Sequence, residues 1–143
     1  MDATELIKHQ LGSMRRFVGG ILNGLTDEQL NWRPPGTANP IGVSWLHLLT
    51  VEDEFIQATF QEKPRLWESQ GWTAKTGIHP RASDESWDRV KQTYFSVAPL
   101  QAYGAAVREA VARNVSVVAG FQSRNIIVIA ALHAYIRATQ QQA

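Results

Sequence analysis

Two histidines on helix-forming stretches are the residues of this chain best suited to chemistry. His47 lies within residues 40–60, PIGVSWLHLLTVEDEFIQATF, and His133 lies within residues 125–141 near the carboxyl end. Each falls on the apolar side of its helical pattern, where an imidazole needs a hydrogen-bond partner or a metal ion. Both histidines are therefore candidate metal ligands, although a single histidine in such a place is more often a hydrogen-bonded core residue.

Polar residues at helical spacing accompany His47. Ser44 precedes it by one turn and Glu54 follows it by two turns, so all three share a helix face. Ser44 resembles half of a serine–histidine pair, but no oxyanion-hole or elbow motif supports a nucleophile. Glu54 can offer a carboxylate oxygen to a metal, whereas the run Glu52-Asp53-Glu54 is more typical of a partly exposed acidic surface. Glu54 therefore enters the candidate site only as an optional ligand.

Composition limits the classes of protein to which the chain can belong. The sequence has 143 residues, 44% of them hydrophobic, which predicts one domain over residues 1–143. Its formal net charge of +1 predicts no nucleic-acid partner, and the absence of cysteine excludes disulfides and thiolate chemistry. No stretch approaches the ~20 apolar residues of a membrane span, and the start does not resemble a signal peptide. We expect a cytoplasmic protein without a membrane partner.

Apolar periodicity predicts the helices that must position these side chains. Long helices are expected at about residues 4–25, 40–60, 99–118 and 125–141, and no useful β-alternation occurs. A capping box over residues 26–29 predicts a single turn, and Asn39 is expected to cap the second long helix. The expected inward positions on that helix are Ile41, Trp45, Leu48, Phe55 and Thr59, and those on the third are Leu100, Tyr103, Val107, Ala110, Asn114 and Val117.

A long connection separates the second and third long helices. Residues 61–84 have no helical period but contain Trp67 and Trp72, which argue against a solvated linker. The two tryptophans are expected either to anchor the connection or to wall a small-molecule site. Asn114, on the third helix, can orient a histidine or fix helix register. The fold class predicted is all-α, a four-helix bundle with long crossover connections.

Three segments of the sequence resemble the DinB-like (YfiT-type) family of metalloenzymes. They are LTDEQLNWRPPGTANPIGVSWLHLLTVEDEF, LWESQGWTAKTGI and the closing HAYIRATQQ, and together they span most of the chain. The resemblance implies a four-helix bundle, commonly a homodimer, whose three histidines bind a divalent metal such as nickel or zinc. For some members it also implies transfer, isomerisation or hydrolysis with a low-molecular-weight thiol.

The resemblance assigns two of the three metal ligands to this chain. His47 matches the histidine of the second helix, and His133 matches the first histidine of the closing pair. Arg137 stands where the pattern has the third histidine, and a guanidinium stays charged and repels a cation. Three hypotheses follow: Glu54 or Glu52 replaces the third ligand, or Arg137 makes a metal-free pocket that binds an anion, or the cluster is a vestigial polar network.

Two hypotheses of function remain open from the sequence. In the first, the protein is a nickel- or zinc-dependent transferase, isomerase or hydrolase that acts on a small molecule with a thiol. In the second, it is a non-catalytic ligand-binding or interaction domain whose metal site has degenerated through Arg137. In both, the partner is a small molecule, and in the second Arg137 favours an anionic one. The predicted pocket consists of His47, His133, Arg137, Ser44, Asn114, Trp67 and Trp72.

Overall fold

Helices make up the regular structure of this chain. The computed structural model describes residues 3–79 and 88–122, and in them the chain forms no β-strand. Its elements are α1 (Ala3–Leu22), α2 (Asp27–Asn31), α3 (Ile41–Asp53), a π-helix (Glu54–Thr59), α4 (Leu66–Ser69), α5 (Trp72–Thr76), α6 (Asp88–Lys91) and α7 (Val97–Gln122). The predicted all-α class is confirmed. The helix predicted at residues 125–141 lies outside the described residues, so the four-helix bundle stays a prediction.

The chain divides into two compact units. The central unit comprises Gly24–Val111, and the terminal unit comprises Met1–Asn23 together with Ala112–Ala143. The central unit contains α2 to α6 and most of α7, whereas the described part of the terminal unit consists of α1 and the end of α7. The prediction of a single domain over residues 1–143 stays a prediction. None of the described helices is long and apolar enough to cross a membrane.

Of the two helix N-caps predicted from the sequence before α2 and α3, the structure contains the first and not the second. The predicted capping box is confirmed, because the Gln29 amide donates to Thr26 Oγ1 at 3.2 Å and the Thr26 amide donates to Gln29 Oε1 at 3.0 Å. The predicted Asn39 cap is wrong. Pro40 occupies the N-cap position of α3 without a side-chain cap, and the helix begins one residue later, at Ile41.

The face of α3 that is buried differs from the predicted one. Ile41 is 36% exposed and Phe55 is 40% exposed, and Thr59 is exposed as well. Trp45 is buried as predicted, and the other buried positions of α3 are Gly42, Val43, Leu46, Leu49 and Asp53. Because α3 is apolar around most of its circumference, its periodicity is too weak to identify the inward face.

A π-helix continues α3 without a break. Glu54–Thr59 carries buried Ile56 and Gln57. Two hydrogen bonds stabilise the turn that follows the π-helix. Gln61 Nε2 donates to the Ile56 carbonyl at 2.8 Å, and the Lys63 amide donates to the Gln57 carbonyl at 3.0 Å. Short π-helical segments are rare and occur frequently near functional sites.

Helix α7 supplies one wall of the core of the central unit. Leu100, Tyr103, Val107 and Ala110 are all at most 2% exposed, which confirms four of the predicted inward positions. Polar links hold its start against α2: the Val97 amide donates to Asp27 Oδ1 at 2.8 Å. The Asn31 side chain donates to the Phe95 carbonyl at 2.7 Å and accepts from the Phe95 amide at 2.7 Å. These bonds join segments that are far apart in the sequence.

Candidate functional site

His47 lies on α3 and is half-buried. Its backbone carbonyl accepts a hydrogen bond from Thr50 Oγ1 at 3.1 Å, and the same hydroxyl also donates to the Leu46 carbonyl at 3.0 Å. Ser44, one turn earlier, is exposed. In the part of the chain that the structure describes, no hydrogen bond joins the Ser44 hydroxyl to His47, so the geometry provides no serine–histidine pair.

Glu54 is engaged by a cation at the start of α4. Its side chain is 51% exposed, and its Oε2 lies 3.5 Å from Arg65 Nε. Arg65 also donates from Nε to Glu68 Oε2 at 3.1 Å, and its Nη2 contacts the other carboxylate oxygen of Glu68. Partial burial acts to lower the pKa of Arg65, but the hydrogen bond and charge of Glu68, with the charge of Glu54, raise it overall. Glu54 is therefore held in an ion pair at the surface.

The described residues do not supply a complete metal site. Within residues 3–79 and 88–122, no group of three or more histidines or carboxylates is placed to hold a metal ion. His47, Glu52 and Glu54 are the described members of the predicted ligand set, and Glu54 is paired with Arg65. To bind a metal, Glu54 must first give up this cation, which for a half-exposed surface pair costs no more than about 1 kcal/mol. The other two positions, His133 and Arg137, lie outside the described residues.

Asp53, between two more exposed glutamates, is a buried carboxylate that accepts three hydrogen bonds. It is 1% exposed, which makes the prediction of a surface acidic run wrong at this position. Its Oδ1 accepts from the Leu66 amide at 2.9 Å, and its Oδ2 accepts from the Trp67 amide at 3.0 Å and from the Tyr103 hydroxyl at 2.7 Å. Asp53 thus satisfies two backbone N–H groups at the start of α4 and fixes that helix to α3 and α7.

Two tryptophans of the long connection pack against the same tyrosine. The Trp67 and Tyr103 rings meet edge to face with centroids 4.8 Å apart, and the Trp72 ring lies 5.3 Å from Tyr103. Trp67 is 2% exposed and Trp72 is 7% exposed, and Trp67 Nε1 donates to Thr73 Oγ1 at 2.8 Å. Both indoles therefore anchor the connection, one of the two roles predicted. Their role as walls of a small-molecule site stays a prediction.

Burial changes the ionisation of Tyr103. Removal of the phenol from water raises the pKa of Tyr103 strongly, and the negative charge and hydrogen bond of Asp53 raise it further. The neutral hydroxyl is therefore retained as a donor to Asp53. We refer to Asp53, Trp67, Trp72 and Tyr103 below as the Asp53 cluster.

Asn114 is another described residue of the predicted pocket. It lies on α7 in the terminal unit and is half-buried. His47, Ser44, Trp67 and Trp72 belong to the central unit. Of the predicted pocket residues, the structure brings the two tryptophans into one cluster, through Tyr103, a residue that the sequence identified only as an inward position of α7.

Two adjoining clefts on the central unit contain none of the predicted site residues. One has a volume of about 160 Å³ and the other of about 340 Å³, and both are lined by Arg33, Pro40 and Lys91. Arg33 Nη2 donates to the Lys91 carbonyl at 3.0 Å across 58 positions of sequence. We call this surface the Arg33–Lys91 cleft. Sequence reasoning missed it because nothing local to Arg33 indicates that Lys91 lies beside it.

The described helices define an all-α fold, and comparison with known proteins identifies the family of the chain. The family model of the DinB superfamily matches residues 10–121, and the chain therefore belongs to the DinB superfamily. The resemblance found in the sequence is confirmed at that level.

A solved structure supports the fold. The chain is similar to a protein described as "the conserved protein of locus from Enterococcus faecalis", with a TM-score of 0.65 and 21% sequence identity. The match covers 81% of this chain and 71% of the other. At this identity the likeness concerns the fold alone. None of the curated proteins compared with the chain matches it.

Proposed function

We propose that this DinB-superfamily protein binds a small anionic molecule in a pocket that contains His47, His133 and Arg137. In this proposal two imidazoles and a guanidinium take the place of a three-histidine metal centre. The observation that carries it is the ion pair of Glu54 with Arg65 at 3.5 Å, because it engages the carboxylate best placed on the helix of His47 to replace the third ligand.

The chemistry of the three side chains suits an anion. A guanidinium presents several N–H donors in a rigid fork that matches carboxylate and phosphate groups, and it remains charged at any ordinary pH. An imidazole can donate a hydrogen bond and gains positive charge near neutral pH. Partial burial, such as that of His47, strengthens the attraction between such donors and an anion.

The divalent-metal enzyme is the second candidate. It is favoured by membership of the DinB superfamily and by the placement of His47 on the long α3 helix. With nickel or zinc bound by His47, His133 and one further donor, the ion would supply Lewis acidity toward a small-molecule substrate or a thiol. Glu54 could serve as that donor only after it leaves Arg65, which costs the ion pair.

Metal analysis separates the two candidates. The protein is purified without chelator, its nickel, zinc, iron and manganese contents are measured, and the apoprotein is titrated with zinc. Our proposal predicts far less than one metal ion per chain and weak zinc affinity. Arg137→His should then tighten zinc binding at least tenfold, about 1.4 kcal/mol, because it restores a third imidazole. Stoichiometric metal in the wild type would refute the proposal.

Arg65→Gln is the matched control for the carboxylate ligand. If Glu54 can complete a metal site once its cation is removed, Arg65→Gln alone should tighten zinc binding. We expect at most about a fivefold tightening, because the half-exposed pair with Glu54 is worth no more than about 1 kcal/mol. His9→Gln, an exposed histidine on α1, should leave every zinc affinity unaltered and controls for nonspecific loss of an imidazole.

We further propose that the protein is a homodimer that associates through α1. Phe17 is 71% exposed, Ile21 is 56% exposed and Leu6 is 45% exposed on this helix. Such apolar side chains are stabilised when a second copy covers them. Light scattering should give the mass of two chains, and Phe17→Glu should shift the mass toward one chain, whereas Lys8→Glu should not. A single-chain mass for the wild type would refute the dimer.

A further inference from the structure

The Arg33–Lys91 cleft joins two basic side chains on the surface of the central unit. Arg33 is exposed, Lys91 is half-buried, and buried Pro40 lines both halves of the cleft. Among the residues that the structure describes, no aspartate or glutamate lines either half. The charged side chains of this described lining are therefore both cations, although the chain as a whole has a formal net charge of only +1.

The two cations are available for a ligand. Within residues 3–79 and 88–122, neither Arg33 nor Lys91 forms an ion pair with a carboxylate. Arg33 uses one N–H group to donate to the Lys91 carbonyl at 3.0 Å. A guanidinium has five N–H donors, so most of its hydrogen-bonding capacity remains open. By contrast, Arg65 on the same unit is bound by two glutamates.

The backbone around the cleft is fixed before any ligand arrives. The Asn31 side chain both donates to and accepts from the backbone of Phe95, at 2.7 Å in each case. Thr93 Oγ1 donates to the Arg89 carbonyl at 3.3 Å, which secures the turn after Lys91. A ligand therefore need not order the chain around the cleft, and this reduces the cost of binding.

The dimensions of the cleft restrict the ligand. The smaller half, about 160 Å³, is below the ~300–1,000 Å³ of sites for drug-sized molecules, whereas the larger half, about 340 Å³, is at the lower end of that range. A compact oxyanion fits the smaller half, and a small organic group attached to it can extend into the larger half. The exposed ring of Tyr94 borders the smaller half.

We propose that Arg33 and Lys91 bind the phosphoryl group of a small molecule in this cleft. The guanidinium supplies directed N–H donors and the ammonium supplies a second positive charge, a combination that proteins use repeatedly for phosphate. The site shares no residue with the pocket proposed around His47. Failure of either proposal therefore leaves the other intact.

Titration of isotopically labelled protein with inorganic phosphate and with phenyl phosphate tests this proposal. Amide chemical shifts are followed by NMR at constant ionic strength, maintained with sodium chloride. We expect saturable shift changes at Arg33 and at residues 91–94. Tighter binding of phenyl phosphate would identify a phosphorylated organic molecule as the ligand class, and equal binding would identify free phosphate. Shifts that do not saturate, or that spread over all basic residues, would overturn the proposal.

Lys91→Gln is the decisive variant, because the Lys91 ammonium makes no hydrogen bond to another described residue and its loss should not disturb folding. We expect a Kd for phosphate about fivefold weaker, the upper end for a partly screened charge. Lys8→Gln, which removes an exposed lysine from α1, is the matched control and should leave the Kd unchanged. Equal Kd values for the two variants would refute the site. Arg33→Gln is secondary, since it also deletes the bond to the Lys91 carbonyl.

Discussion

The Asp53 cluster and the Arg33–Lys91 cleft lie in the same unit of the chain and use charge in opposite ways. Asp53 is 1% exposed and accepts hydrogen bonds from two amides and one hydroxyl. Arg33 and Lys91 border open clefts whose described lining contains no carboxylate. A buried carboxylate that accepts hydrogen bonds holds its donors in place and leaves them unpaired when it is removed, whereas a charge that faces a cleft without an opposite charge can bind a ligand. Burial alone therefore does not identify the functional groups of this protein.

Removal of the Asp53 carboxylate should give the largest effect. Asp53→Ala leaves the Leu66 and Trp67 amides and the Tyr103 hydroxyl without their acceptor. We expect a loss of about 3–5 kcal/mol in the free energy of unfolding, measured by urea denaturation. Glu54→Ala, one residue on, removes a surface pair and should cost no more than about 0.5 kcal/mol. If Asp53→Ala and Glu54→Ala lowered the free energy of unfolding equally, the proposed difference between the buried, hydrogen-bonded carboxylate and the exposed one would be wrong.

Gly42→Ala tests the packing that supports the cleft. A Cβ atom added at Gly42 would lie 2.6 Å from Cγ of Phe95, whose backbone is bonded to Asn31. We expect a loss of about 1–3 kcal/mol in the free energy of unfolding, because the core must move to accept the methyl group. Gly20→Ala on α1 meets no described atom within 4 Å and should stabilise the protein by up to about 1 kcal/mol. If Gly42→Ala left the free energy of unfolding unchanged, that result would show that Phe95 is not held firmly in its position.

Tyr103→Phe reduces the Asp53 cluster by one hydrogen bond while it preserves the ring contacts with Trp67 and Trp72. The carboxylate then loses its 2.7 Å donor but keeps both amides. We expect a loss of about 1.5 kcal/mol in the free energy of unfolding. Tyr94→Phe, at a residue that is 65% exposed, should change stability very little and is the matched control.

Alkaline pH should weaken the same cluster through Tyr103. Because the pKa of Tyr103 is raised in the folded state, the unfolded state releases the phenolic proton first as the pH rises above ~10. The contribution of the Tyr103 hydroxyl to the free energy of unfolding is complete below that pH. Above it the contribution falls, by about 1 kcal/mol between pH 10 and 11. Urea denaturation should show this steeper decline in the wild type and not in Tyr103→Phe. Parallel declines would refute the role of Tyr103.

The parts of the fold that local sequence determines were predicted correctly. The capping box at Thr26 needs only four neighbouring residues, and both of its hydrogen bonds are present. The inward face of α7 was also predicted, because polar residues between Leu100 and Ala110 mark the outer side of that helix. On α3 the same method failed, since apolar residues surround the helix and leave no polar face to read.

The parts that depend on distant residues were missed. Asp53 is distinguished from Glu52 and Glu54 only by partners 13, 14 and 50 positions later in the chain. Arg33 and Lys91 are brought together across 58 positions. No pattern within a helix carries this information. The resemblance to the DinB-like family identified the superfamily and the helix of His47, but it could not indicate that Glu54 would be paired with Arg65.

The π-helix after α3 has a consequence for the evolution of the chain's length. In a π-helix, backbone hydrogen bonds join residues five positions apart, whereas in an α-helix they join residues four apart. When one residue is inserted into an α-helix, the wider π-helical turn can accommodate it. In an ordinary helix, one added residue turns everything beyond it by ~100°. Deletion of one residue between Glu54 and Thr59 should therefore restore α-helical bonding while Asp53 and α4 keep their positions. A superfamily member without this π-helix should align to the chain with a gap of one residue here.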